Sequence, residues 1–258
     1  MSKDPLEAAF RAFGFVVLRQ VFDGVALRAE LLRSLSPTAP SLETGVANVQ
    51  YVPMMCEHTP LSLALLERSM PLAERLLGGA VIPTRAKGMR YFGDTSWHSD
   101  SERDLDSLGV LAYLDPLGPD QGALRVVPGS HQRNVRAELM CTLDSESNGL
   151  CFEPPEYTIT TQVGDLIILD EHLYHASFGG TERLQWRIDY LRDPRTSLEE
   201  AAVRRWFAEI FDPRWAGGYD TERYPNYGEA FLRSGLPVVE RLRELGVLDL
   251  AAGRPLEP

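Results

Sequence analysis

The chain has 258 residues, 44% of them hydrophobic, which is enough to close a full core, and a β-barrel or sandwich of this length is commonly one domain. A net charge of -11 repels a phosphate backbone or an anionic lipid surface at long range, so neither nucleic acid nor membrane is expected as a main partner. The three cysteines, Cys56, Cys141 and Cys151, form no CxxC pair and leave one over, which fits free thiols in a reducing compartment. There is no basic start before an apolar run and no apolar stretch long enough to span a bilayer, so the expectation is a soluble, cytoplasmic protein of open oligomeric state.

In chain order, apolar residues recur at helical spacing over Leu6–Phe13 and Val25–Leu35, on either side of the short β-branched run Phe15–Leu18. That pattern predicts a helix, strand, helix opening within an N-terminal part of about 4–80. From about 81 to 192 the texture changes to short apolar or alternating runs broken by Gly, Pro, Asp and Ser. These runs are Gly88–Phe92, Leu108–Leu114, Ala123–Val127, Tyr157–Thr161, Asp165–Leu169 and Leu184–Leu191. Many short strands punctuated in this way predict an antiparallel sandwich or jelly roll, a mainly β fold with flanking helices. Ser36–Pro60, Ser101–Ser107 and Met140–Pro155 read as loops near its mouth. The last part, about 193–258, is aromatic and Pro-rich over Trp206–Tyr227, then helical over Glu229–Leu248. No repeat or long linker divides the chain, so a single domain is expected.

The segment SWHSDSE sets His98 and Asp100 two residues apart, so an extended backbone points both side chains to one face and toward one ion. A third ligand must come from a distant strand, and GDLIILDEHLYHASFGG offers His172 and His175. Two His and one carboxylate make a facial triad that leaves positions open for a bidentate 2-oxo acid and for dioxygen; the same ligand types also suit zinc or manganese. The distal carboxylate of 2-oxoglutarate calls for a fixed planar cation, and Arg187 in LQWRIDYL answers that need. There Leu184, Trp186, Ile188 and Tyr190 alternate with Gln185, Arg187 and Asp189, which turns the polar set toward a cavity. Ser177, two residues beyond His175, offers a second hydrogen bond to the same carboxylate. On the strand before His98, Lys87, Met89 and Tyr91 share a face opposite to Arg90, and one of the two sets is expected to line the pocket.

The ordered set WHSD, QGALRVVPGSH, GDLIILDEHLYHAS and Arg187 resembles the phytanoyl-CoA dioxygenase-like family, which includes ectoine hydroxylase, and FRAFGFVVLRQVFD is similar to that family's opening. The resemblance runs from about Phe10 to Leu191. It implies a double-stranded β-helix, cupin-like, with Fe(II) on His98, Asp100 and His175, because LYHAS matches the family's LWHGS and selects His175 over His172. It also implies an Arg about eleven residues past that His for 2-oxoglutarate. Arg187 follows by 12 and is preferred to Arg183, which sits in the polar GGTER turn where solvent is the ordinary fate of a charge. The implied activity is oxidation of a small molecule by O2, with release of succinate and CO2. Hydroxylation of an unactivated C–H bond, as in natural-product biosynthesis, is the expected outcome, since Asp100 fills the position that a halide takes in related halogenases. The rival expectation is a non-oxidative, metal-containing cupin-like binder or isomerase.

Overall fold

The computed structural model describes residues 4–35, 42–43, 48–144, 155–211 and 219–253. Cys151, much of Met140–Pro155 and part of Ser36–Pro60 lie outside these residues. The helix α1 (Pro5–Phe13) is started by the Asp4 side chain, which accepts from the Leu6 N–H, and stopped by Gly14 at φ 79°. A left-handed residue there costs glycine nothing, and it turns the chain straight into β1 (Phe15–Leu18). Then follow α2 (Gly24–Ser34), β2 (Leu42–Glu43), β3 (Asn48–Pro53), the long α3 (Pro60–Leu77), β4 (Val81–Pro83), β5 (Lys87–Phe92) and β6 (Thr95–His98). Next come β7 (Ser107–Tyr113), β8 (Leu124–Val126), α4 (Arg133–Asp144), β9 (Tyr157–Ile159), β10 (Leu166–Asp170), β11 (His175–Ser177) and β12 (Glu182–Arg192). The chain closes with α5 (Ser197–Ile210), α6 (Glu229–Leu232), α7 (Pro237–Glu244) and α8 (Val247–Ala251).

Among the described residues the strands form two antiparallel sheets. The larger runs β1-β10-β7-β12-β5-β3-β2, with β4 also on β12, and the smaller runs β6-β11-β8-β9. One face of the large sheet carries Val110, Ile168, Trp186, Ile188 and Tyr190 into a core shared with the helices. The other carries Leu111, Tyr113, Ile167 and Leu169 against Leu124, Val126 and Ile159 of the small sheet. Alternation along each strand divides the two cores, as the two-residue period requires. The helix side is pinned by polar tips: Trp186 Nε1 donates to Ser62 Oγ at 2.7 Å, and the Tyr190 hydroxyl donates to the Leu66 carbonyl at 2.9 Å, both on α3.

Three expectations are corrected. The β part does not begin at residue 81, because β1 pairs with β10 and β3 with β5, which fills both flanks of the large sheet with N-terminal strands. Ser36–Pro60 and Met140–Pro155 are not loops throughout: the first contains β3 and the second the end of α4. The helix expected over Glu229–Leu248 is cut into α6, α7 and α8, since Gly235 and Gly246 take φ of 75° and 73° and Pro237 opens α7. No helix among the described residues is long and apolar enough to cross a membrane.

Gly164-Asp165 fixes the start of β10. Asp165, 1% exposed, accepts from the backbone N–H groups of Gln20 at 3.0 Å and Gln162 at 2.9 Å and from Arg19 Nη1 at 2.6 Å, tying β1 to β10. Burial alone would raise its pKa, but the donors from Gln162, Arg19 and Gln20 outweigh that and hold it below the ordinary value. A depressed folded pKa means that the ionised form stabilises the fold, fully above the unfolded value and progressively less as pH falls through the folded one. Asp165→Asn is therefore expected to cost about 2 kcal/mol at pH 7. The gap between variant and wild type in thermal denaturation should close as pH drops below about 4; a gap independent of pH would show that charge plays no part.

Candidate metal centre

The register of the small sheet brings the candidate ligands together. His98 on β6 lies directly across from His175 on β11, and their ring centroids are 4.3 Å apart. Asp100, two residues past His98, reaches between them, with Oδ1 3.4 Å from His98 Nε2 and Oδ2 3.6 Å from His175 Nε2. One donor atom from each of the three residues fits within a 4.8 Å cluster. Both rings are oriented from behind: His98 Nδ1 is 2.8 Å from the Ser96 carbonyl and His175 Nδ1 is 2.8 Å from the Leu173 carbonyl. A carbonyl only accepts, so each Nδ1 carries the hydrogen and each neutral ring presents the Nε2 lone pair to the centre. The donor set thus fits a divalent metal ion, with two imidazoles and one carboxylate converging from one side.

His172, the alternative ligand, lies elsewhere. Its ring bridges Asp170 Oδ1 at 3.0 Å and the Arg103 carbonyl at 2.7 Å, as a polar residue closing a strand end. Trp97 stacks on Tyr174 with ring centroids 5.5 Å apart.

Charge around the triad is arranged by the inward face of β12. Arg187 is present as expected, but its guanidinium is already engaged. Nη2 is 2.9 Å from Asp100 Oδ2 and 3.1 Å from Glu171 Oε1, while Nε is 2.5 Å from Asp189 Oδ1. Asp189 in turn holds Lys87 Nζ at 3.1 Å. Burial would raise the pKa of Asp100, but Arg187, His175 and His98 hold it well below the carboxylate range. At His98 the penalty of burial is outweighed by Asp100 and the Ser96 carbonyl, which raise its pKa, whereas burial dominates at His175 and lowers it.

Arg183 overturns the expectation that it is a solvated turn residue. Strand β12 begins at Glu182, so the two-residue period puts Arg183 on the same inward face as Gln185 and Arg187, and it is 2% exposed. Its Nη1 donates to Ser177 Oγ at 2.7 Å, Nη2 lies 3.5 Å from Thr95 Oγ1, and the guanidinium sits 5.7 Å from the Tyr91 ring centroid. Ser177 passes its own hydrogen to the Gly122 carbonyl at 2.7 Å. Among the described residues no carboxylate pairs with Arg183, in contrast to Arg187. Arg183, Ser177 and Thr95 line, with the triad, a cavity of about 300 Å³. Gln185 lines it as the alternation of β12 predicts, Tyr91 as a member of one of the two sets expected from β5, and Tyr113 without any signal in the sequence. The signal for Arg183 was the same alternation of β12 that places Gln185, read two residues further back.

A sequence profile of the phytanoyl-CoA dioxygenase (PhyH) family matches residues 54–183, about half of the chain. No curated protein matches it in sequence. Among solved structures it is similar to the non-haem α-ketoglutarate-dependent epimerase SnoN of nogalamycin biosynthesis, with TM-score 0.58 and 23% identity over 73% of this chain and 81% of that one. HygX from Streptomyces hygroscopicus, solved with nickel and 2-oxoglutarate, aligns with TM-score 0.56 and 18% identity over 76% and 93% of the two chains. EctD from S. alaskensis, with bound Fe, aligns with TM-score 0.54 and 24% identity over 72% and 75%. These likenesses are of fold.

The Arg187 cluster makes a distinctive pH prediction. Burial, reinforced by the charge of Asp189, pushes the Glu171 carboxyl up from 4.5 to about 8, so at neutral pH it is a neutral acid beside Arg187. A raised folded pKa binds the proton more tightly than the unfolded chain does, so the stabilisation is full below 4.5 and is lost as pH rises toward 8. Glu171→Gln, which keeps the shape and cannot ionise, should match wild type near pH 5 and gain on it steadily toward pH 8 in chemical denaturation. A constant difference across that window would mean that Glu171 is ionised in the fold.

Proposed function

The chain belongs to the phytanoyl-CoA dioxygenase family, and from that premise we propose that it is an Fe(II)- and 2-oxoglutarate-dependent oxygenase that hydroxylates a C–H bond of a small molecule. His98, Asp100 and His175 hold the iron, and the two antiparallel sheets around them read as that family's double-stranded β-helix. The observation that carries the reading is the pair of cross-strand Nε2 lone pairs, fixed by the Ser96 and Leu173 carbonyls and joined by the Asp100 carboxylate. A structural ion pair would have no need of two histidines locked into the ligating tautomer.

The cosubstrate's distal carboxylate falls to Arg183 with Ser177 and Thr95. Arg183 is planar and permanently charged, is buried in the cavity wall, and faces hydroxyls where Arg187 faces the carboxylates of Asp100 and Asp189 and the acid group of Glu171. A buried guanidinium opposed only by neutral groups gains most from an incoming anion. Arg187 has a different task, holding Asp100 ionised and aimed, so that the carboxylate competes well for a divalent ion. When bound, iron with 2-oxoglutarate supplies oxidising power from dioxygen, as the acid is decarboxylated to succinate and CO2. The chain's part is to hold the ligands, to clamp the oxo acid and, through Tyr91, Tyr113 and Leu111, to keep bulk water off the cavity wall.

Anaerobic Fe(II) with 2-oxoglutarate should give the weak visible charge-transfer band of the chelate in wild type and none in His175→Ala. Arg183→Met should retain iron and lose about tenfold to a hundredfold in 2-oxoglutarate affinity, as befits one charge-assisted hydrogen-bonded pair. An unchanged affinity in Arg183→Met, with the loss found in Arg187→Met, would return the clamp to Arg187. Succinate formed under ¹⁸O₂ together with a product lacking the label would replace hydroxylation by desaturation, ring closure or epimerisation.

A further inference from the structure

A second cavity of about 380 Å³ opens next to the first on the same inward face of the large sheet. The two share Tyr91 as a wall, and the inward row of β12 continues from one to the other. Arg187, in contact with Asp100, lines the first, and Asp189, in contact with Arg187, lines the second. On β5 the face Lys87, Met89 and Tyr91 turns inward along it, while Arg90 pairs away with Glu182. The apolar lining is aromatic and flat: Tyr51, Tyr91 and Trp206, with Met89 and Ile210. Such walls suit a ring system rather than a long flexible chain.

Its charges do not cancel. Lys87 is paired with Asp189 at 3.1 Å, and Arg103 with Glu209. Arg85, on the link between β4 and β5, has no carboxylate partner among the described residues and is only 8% exposed. Its guanidinium has neutral company: Nη1 donates to Asn226 Oδ1 at 2.5 Å and Nη2 to the Tyr51 hydroxyl at 3.3 Å. The rings of Tyr51 and Phe211 flank it at 5.1 and 5.4 Å. Aromatic faces and amide oxygens hold the guanidinium in place but do not neutralise it, and a buried cation held that way favours an anion arriving from the cavity. In a chain of net charge -11, one uncompensated arginine in a cavity wall is a local exception to the surrounding field.

We propose that this second cavity is the site of the molecule to be oxidised and that it takes a ring-bearing small acid, with the acid group on Arg85 and the ring among Tyr51, Tyr91 and Trp206. The assignment rests on the oxygenase reading for the reaction, and on the cavity alone for the ligand's chemistry. Carboxylate and phosphate share the chemistry that Arg85 recognises, and the choice between them is made by experiment.

Protein loaded with Mn(II) and 2-oxoglutarate is titrated with phenylacetate, phenyl phosphate and the neutral phenylacetamide, with ring-proton relaxation followed by NMR. At least one of the two acids is expected to bind tenfold or more tightly than the amide, with its ring protons relaxed by the nearby Mn(II); the tighter acid names the group. Arg85→Met should abolish that preference, and Ile210→Trp, which fills the cavity from its rim, should weaken both acid and amide. The proposal is overturned if the amide binds as well as both acids, if Arg85→Met leaves the preference intact, or if the acid binds without relaxation by Mn(II). The acid-against-amide comparison needs no variant, so misfolding of Arg85→Met does not blunt it. A separate 2-oxoglutarate titration keeps the two readings apart. Loss of the oxo acid's binding with the acid preference retained defeats the oxygenase reading only, and the converse defeats only this one.

Discussion

Everything at the centre of this molecule follows from the need to keep one row of charges out of water. Strand β12 sits in the middle of the large sheet, bonded to β5 and β7, and sends Arg183, Gln185, Arg187 and Asp189 to its inner face. Isolated ions there would be prohibitively costly, so counter-charges must come from elsewhere in the chain. Asp100 comes from beyond β6, Glu171 from the end of β10 and Lys87 from β5, and with Glu171 neutral the cations Arg187 and Lys87 balance the anions Asp100 and Asp189. The carboxylate of the candidate metal centre is thus also a structural counter-ion, and its position is set by strands of both sheets.

The opposite face of the same strand does a different job with the same periodicity. Leu184, Trp186, Ile188 and Tyr190 are packed under α3 and the C-terminal helices. A one-residue slip of β12 would drive four polar side chains into that core and four apolar ones into the site, so the register is over-determined. Hydrogen bonds from Trp186 and Tyr190 to α3 add direction to a contact that burial alone would leave loose.

Much of this was legible in the sequence, because alternation and two-residue spacing are local signals. The strands around Gly88, Leu108, Leu166 and Leu184 and the pairing of His98 with Asp100 on one face came from such patterns. Three things did not. The flanking of the large sheet by β1 and β3 depends on pairings more than a hundred and some forty residues apart, about which periodicity is silent. The fate of Arg183 turned on where β12 begins, since a GGTER turn and the first residues of a strand look alike until the partner Tyr91 on β5 is known. The occupation of Arg187 depends in part on Glu171, which lies between Asp170 and His172 in the ligand-bearing segment but has no spacing to Arg187 that periodicity could read, so its role exists only in three dimensions.

Strand β6 is the edge of the small sheet, bonded on one side only, to β11. An edge so short has few backbone bonds to hold it and would fray readily by itself. An ion shared by His98, Asp100 and His175 would be a cross-link between that edge and its neighbour, a stitch at the margin of the fabric. Metal supply and integrity of the fold would thereby be joined, because an ion that binds only the folded arrangement adds its binding free energy to the pairing of β6 with β11.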